Sequence, residues 1–141
     1  MLHQLIYTSQ SMPLDPDAIH SILVSAHKNN DEFGITGVLV LIDNTFIQVL
    51  EGSEEAITNL FEIIQADRRH QNVQQLSIQP IEERAFPNWT MGYLDKTPKI
   101  IQTMLHDHQA GEDLSATLKT LAADHKWIGD FILDCQKELS Q

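Results

Sequence analysis

The chain has 141 residues, 42% of them hydrophobic, with 9 basic against 20 acidic side chains and a formal net charge of −11. That length predicts one domain with room for appended elements, and the acidic balance argues against non-specific binding to nucleic acid or to anionic membrane. No apolar run approaches membrane-spanning length, "MLHQLIYTSQ" lacks the basic start and long apolar stretch of a signal peptide, and Cys135 as the single cysteine excludes an internal disulfide and a cysteine-based zinc site. A soluble cytoplasmic protein is the simplest expectation.

"QLIYTS" (4–9) alternates and is rich in strand formers, which predicts the first strand. A helix follows. Asp15 suits its N-cap, Pro16 its first position and Asp17 the positive end of its dipole. Ile19, Ile22, Leu23 and Ala26 recur at helical spacing, Asn30 extends that stripe, and the helix ends before Gly34. "GITGVLVLID" (34–43) and "TFIQVLEG" (45–52) are apolar runs on either side of Asp43-Asn44, the pattern of a hairpin. Ser53 can cap a second helix with Ile57, Leu60, Phe61 and Ile64 inward, expected to run to about residues 67–70. "QQLSIQPIEER" (74–84) is the predicted fourth strand, with Pro80 marking an edge or a bulge. "AFPNW" is a turn and "TMGYL" (90–94) a short fifth strand.

The order β-α-β-β-α-β-β predicts an α+β fold, a ferredoxin-like antiparallel sheet with two helices on one face. A slot between those helices is a natural ligand site. From Thr97 the character changes. Thr97-Pro98 starts a third helix with Ile100, Ile101, Met104 and Leu105 inward, and "HDHQAGED" is a loop. Leu114, Leu118, Leu121, His125, Ile128, Ile132, Cys135 and Leu139 then step by four and three, on a helix pair or one long broken helix. This stripe either covers the open face of the sheet or forms a subunit or partner interface. The expected division is residues 1–96 for the sheet domain and 97–141 for a C-terminal helical extension packed on the other face.

"FIQVLEG" (46–52) carries the first chemical anomaly, an amide inside an apolar run. A buried amide without partners costs about 1–3 kcal/mol. Phe46, Gln48 and Leu50 share one strand face, and Leu5, Tyr7 and Ser9 share another. Strands one and three are central and adjacent in this topology, so Tyr7 and Gln48 can meet beneath the helices, with Asn30 at the end of the first helix's stripe. A phenol and two amides could hold a heterocycle that has both donors and acceptors. A purely structural Tyr7–Gln48 hydrogen bond accounts for the same pair.

"LIYTSQ", "NNDEFGITGVLV", "FIQVLEG", "IIQADRRH" and "RAFPNWTMGY" occur in this order over about residues 2–94. In these five blocks the chain resembles the BLUF family, blue-light receptors that bind a flavin. The resemblance implies FAD as cofactor, with Gln48 hydrogen-bonded to the flavin ring, Tyr7 bonded to Gln48 and Asn30 on the pyrimidine edge. Trp89 and Met91 match the pair proposed to exchange places near the glutamine. Asp67, Arg69 and His70 match positions along the flavin and its ribityl-phosphate exit, and Ile22, Phe46 and Ile64 complete the expected cofactor contacts. Ala26 departs from relatives that carry a serine there. The resemblance further implies electron and proton transfer from Tyr7, a hydrogen-bond rearrangement of Gln48, and a signal read through strand five.

Plainer roles stand beside these. His106 and His108 in a loop are expected to be solvated, with no metal. Arg68, Arg69 and His70 could simply complement the second helix's C-terminal dipole. Trp89 could be core, Trp127 packs the last helix, and Cys135 is a small buried hydrophobe. The residues beyond Thr97 are too few for a cyclase or phosphodiesterase, so the expected output is no enzyme activity but an unidentified partner protein or a homo-oligomer, without nucleic acid or membrane. Two other classes compete: an acylphosphatase-like enzyme, disfavoured because "SQSMPLD" has no Arg or Lys, and a flavin-free interaction module.

Overall fold

Alternating apolar and polar residues at the N-terminus build β1 (Leu2–Ser11), the strand on which the sheet is assembled. The structure, a computed structural model, describes residues 2–11, 24, 28, 32–42, 45–66, 70–87, 89, 91–94, 99–107 and 114–139. β2 (Thr36–Ile42) and β3 (Thr45–Ser53) form the predicted hairpin. They pair antiparallel down to Ile42 opposite Thr45, and Asp43 and Asn44 lie outside the described residues. Val24, Lys28, Glu32 and Phe33, within the predicted first helix, are helical and exposed.

The hydroxyl of Ser53 accepts from Ala56 N at 3.1 Å and caps α1 (Glu54–Ala66), whose first turn carries Glu54 and Glu55 at the positive end of the dipole. Ile57, Leu60 and Phe61 are its buried stripe. β4 (His70–Pro80) and β5 (Gly92–Leu94) complete a five-stranded sheet in the order β4-β1-β3-β2-β5. All neighbours are antiparallel except β2 and β5. This is the ferredoxin-like sheet with a fifth strand added beside β2.

Two boundaries correct the sequence reading. β4 begins at His70 and ends at Pro80 instead of spanning 74–84. The polar run "HQNVQQ" has no apolar alternation, but ten-residue β1 supplies a hydrogen-bonding edge that a polar strand can fill. Pro80 is the last paired residue, opposite His3, where its missing N–H does least harm on an edge strand. His70 therefore belongs to a strand, opposite Ser11, and not to the last turn of a helix. β5 starts two residues later than predicted, so Trp89 and Met91 precede the strand.

The tail folds as α2 (Lys99–Asp107), α3 (Leu114–Ala122) and α4 (His125–Leu139). A turn at Ala123-Asp124 separates the last two, and Asp124 Oδ1 accepts from Lys126 N at 2.9 Å as the cap of α4. The break resets the helical phase. The buried set becomes Leu118, Ala122, Ile128, Phe131 and Cys135, while His125 is exposed and Ile132 only half-buried. Trp127 packs parallel to Phe131, rings 5.6 Å apart.

Each sheet face has its own core. Leu5, Tyr7, Leu39, Phe46 and Leu50 meet Ile57, Leu60 and Phe61 of α1. On the opposite face Ile6, Val38, Val40, Ile47 and Val49 meet Ile101, Leu118, Ile128, Phe131 and Cys135 of the tail. The tail helices thus cover the face that α1 leaves open to water.

Candidate functional site

Tyr7 and Gln48 face each other across β1 and β3, and the Tyr7 hydroxyl donates to Gln48 Oε1. Both are buried, Tyr7 fully and Gln48 with 6% exposure. A register shift in the β1–β4 pairing falls between Ile6 and Tyr7; bulges of this kind re-aim side chains next to functional sites. The Tyr7 ring lies tilted at 47° against Phe61 of α1, centroids 5.4 Å apart. β3 is buried at every position from Thr45 to Gly52, so the amide enters a layer that is otherwise apolar on its own face.

Gln48 is unevenly satisfied. Its oxygen has the phenol, but among the described residues its NH2 group meets only the Met91 sulfur, 3.2 Å away. A thioether is a weak acceptor for two amide hydrogens. The arrangement therefore holds an amide whose donor end is open to a better partner.

Of the strand-five pair, Met91 stands beside Gln48 and is 2% exposed, whereas Trp89 is 40% exposed. A Cβ placed on Gly92 would lie 3.4 Å from Trp89 Cε3 and 3.2 Å from Leu139 Cδ2, so the indole edge lies where α4 ends. Trp89 O accepts from Gly37 N at 2.9 Å. Gly37 is itself required: a Cβ there would fall 1.8 Å from Val49 O, so only glycine lets β2 lie this close to β3.

Phe46 is fully buried in the helix-side cluster and Ile64 packs at its margin. Ile22, Asn30, Asp67 and Arg69 lie outside the described residues, as does Ala26; His70 is placed by its backbone alone. Sequence reasoning missed Glu51, Arg84 and Gln136, which build a second polar centre on the tail side. The signal that flagged Gln48, a polar side chain in an apolar run, is repeated three residues on at Glu51.

Fold and site together define a ferredoxin-like small-molecule-binding domain with a buried phenol–amide pair between sheet and helix. The family model described as "Sensors of blue-light using FAD", BLUF, matches residues 2–92, and the chain belongs to this family of blue-light photoreceptors. The "Photoactivated adenylate cyclase subunit beta" of Euglena longa is 37% identical over 92 residues, 64% of this chain and 11% of that protein. The chain therefore spans about a tenth of the length of that curated relative. Among solved structures, "BlsA photo-activated state" is 32% identical with a TM-score of 0.78, covering 96% of this chain and 95% of that one. "BlrB - a BLUF protein, dark state structure" is 29% identical with a TM-score of 0.71, covering 99% and 97%. Both matches run past the family segment into the tail helices.

The site fits a flavin ring. An isoalloxazine edge presents ring nitrogen and carbonyl acceptors together with an N–H donor, and the Gln48 NH2 is a buried donor group short of an acceptor. The surrounding Phe46, Leu50 and Leu5 are apolar, as a planar aromatic system requires. No helix among the described residues is long and apolar enough to cross a membrane.

Proposed function

We propose that this chain is a cytoplasmic, non-enzymatic blue-light receptor that binds FAD between the sheet and the helices and passes its signal to a partner protein or a second copy of itself. Residues 1–96 act as the sensor and 97–141 as the output extension. The observation that carries the reading is the Gln48 amide, buried, held by Tyr7 at its oxygen and, among the described residues, opposed only by a thioether at its nitrogen.

When bound, the flavin supplies absorption of blue light and a strong one-electron acceptor. Gln48 and Asn30 would hold its polar edge, Phe46, Ile22 and Ile64 its apolar surface, and Asp67, Arg69 and His70 the direction of its side chain. Tyr7 is the nearest oxidisable side chain to Gln48. When the phenol gives up an electron its hydroxyl becomes strongly acidic, and the proton has an acceptor in place at Gln48 Oε1. Return of electron and proton restores the phenol. Gln48 can emerge turned end for end or tautomerised, because its two ends are opposite hydrogen-bonding partners. Met91 touches the end that changes, so a new amide orientation presses on the segment leading into β5.

The test uses the purified full-length chain. The wild type should be yellow and show a reversible red shift of its flavin absorption in blue light. Gln48→Leu preserves volume and should keep folding and flavin while losing the shift. A full, reversible shift in that variant would leave Gln48 a structural residue only.

A further inference from the structure

Glu51 is fully buried and carries a charge the phenol–amide pair does not use. It follows Gln48 by three positions on β3 and so points to the opposite, tail-covered face. Its partners are all N–H donors: Gln4 Nε2 at 3.0 Å and Ala85 N at 2.9 Å to one oxygen, and Phe86 N at 2.8 Å to the other. A carboxylate is the side chain of this length that accepts at both ends; a glutamine would set its NH2 against a backbone N–H. Two consecutive amides are thus gripped by one group.

The gripped segment is tied on its other sides as well. Arg84 donates to Thr36 Oγ1 and Glu51 O, each at 2.9 Å, and to Gly34 O at 2.8 Å. Trp89 is bonded through its carbonyl to Gly37, and two residues later Met91 meets Gln48. On the tail side Gln136 Nε2 of α4 donates to Ala85 O at 3.0 Å. Phe86 is buried in the same core cluster as Phe131, Ile128 and Cys135. Ala85 O and Phe86 N–H belong to one trans peptide unit, which is planar and stiff. One edge of that plane is held by Glu51 from the sheet, the other by Gln136 from the tail. Rotating the plane loosens both bonds together.

We propose that Glu51 is a positioning residue: through the Ala85–Phe86 peptide plane it couples the place of Met91 beside Gln48 to the seating of α4. The inference rests on the light-sensor reading and names the route of its output. Residues 84–86 carry the signal to the tail in addition to β5, and Gln136 receives it.

Two variants of the full flavoprotein test this. Glu51→Gln should retain flavin and its light-induced shift but change the rate of dark recovery by about tenfold, about 1.4 kcal/mol on the barrier. Hydrogen exchange in residues 128–139 should no longer respond to light. Gln136→Leu cuts only the tail half, so the recovery rate should stay within about twofold, about 0.4 kcal/mol, while the α4 response is lost. Wild-type recovery in Glu51→Gln with α4 still responding overturns the proposal. Should Glu51→Gln fail to fold, Gln136→Leu decides alone, and an intact light response of α4 overturns it. Absence of any shift in the wild type sinks the sensor reading instead. The coupling is then judged in the dark: Gln136→Leu must speed exchange across 85–91, and unchanged protection there refutes it.

Discussion

The two faces of β3 make opposite uses of a buried polar side chain. Among the described residues Gln48 has one strong partner and one weak one on the helix side, and Glu51 on the tail side has three donors spread over both oxygens. An under-partnered buried amide is costly unless something else completes it, which is the condition of a ligand site. A carboxylate met at both oxygens is the condition under which a buried charge is tolerated and fixes its surroundings. The contrast separates the part of the strand that can change its bonds from the part that holds its neighbours still.

The comparison is broken most severely by emptying the tail-side core. Phe131 is 1% exposed against the sheet, so Phe131→Ala should cost about 3–5 kcal/mol, read from urea unfolding. A loss below about 1 kcal/mol would mean that the tail does not share the sheet's core. Tyr7→Phe attacks the other face. Losing the hydroxyl leaves the buried Gln48 oxygen without that donor and should cost about 1–3 kcal/mol, yet the light-induced absorption shift should vanish entirely with flavin still bound. If the shift survives at normal amplitude, Tyr7 is not the electron and proton donor.

A milder test addresses how the tail is ordered. Asp134 Oδ2 accepts from Ile100 N at 2.9 Å, tying α4 to the first turn of α2. Asp134→Ala should cost about 1 kcal/mol, as for loss of a helix cap, and loosen residues 99–103 in hydrogen exchange without altering the flavin spectrum. The smallest effect at neutral pH belongs to Cys135. Burial, with Asp134 and Glu138 beside it, pushes its thiol up to about 12. The native thiol should resist alkylation at pH 8 until the chain unfolds. Because the unfolded thiol ionises near 9 and the folded one near 12, the folded state holds the extra proton between them. Stability is then lost as pH rises through that window. Cys135→Ala should flatten that decline, and equal slopes for both proteins would place the thiol in contact with water.

Strand order, the hairpin and the Ser53 cap were legible because each rests on local chemistry: alternation, a two-residue connection, a hydroxyl before a helix. The Tyr7–Gln48 meeting was legible too, since topology brings strands one and three together and alternation selects the face. The start of β4 was not, because a run of glutamines becomes a strand only when β1 offers it an edge. The tail stripe was read as continuous through His125, and the turn at Ala123-Asp124 shifts its phase to bury Phe131.

The residue pattern alone determined the fold class and the two polar residues meeting on one sheet face, because period and spacing are carried by neighbours along the chain, and five short blocks carried the resemblance to a light-sensing family. Only the tertiary structure decided that Met91 and not Trp89 stands against Gln48, and that Glu51 grips the 85–86 peptide from across the sheet. Those outcomes depend on which segments compete for the same space and the same donors, and residues more than thirty positions apart leave no local pattern of that competition.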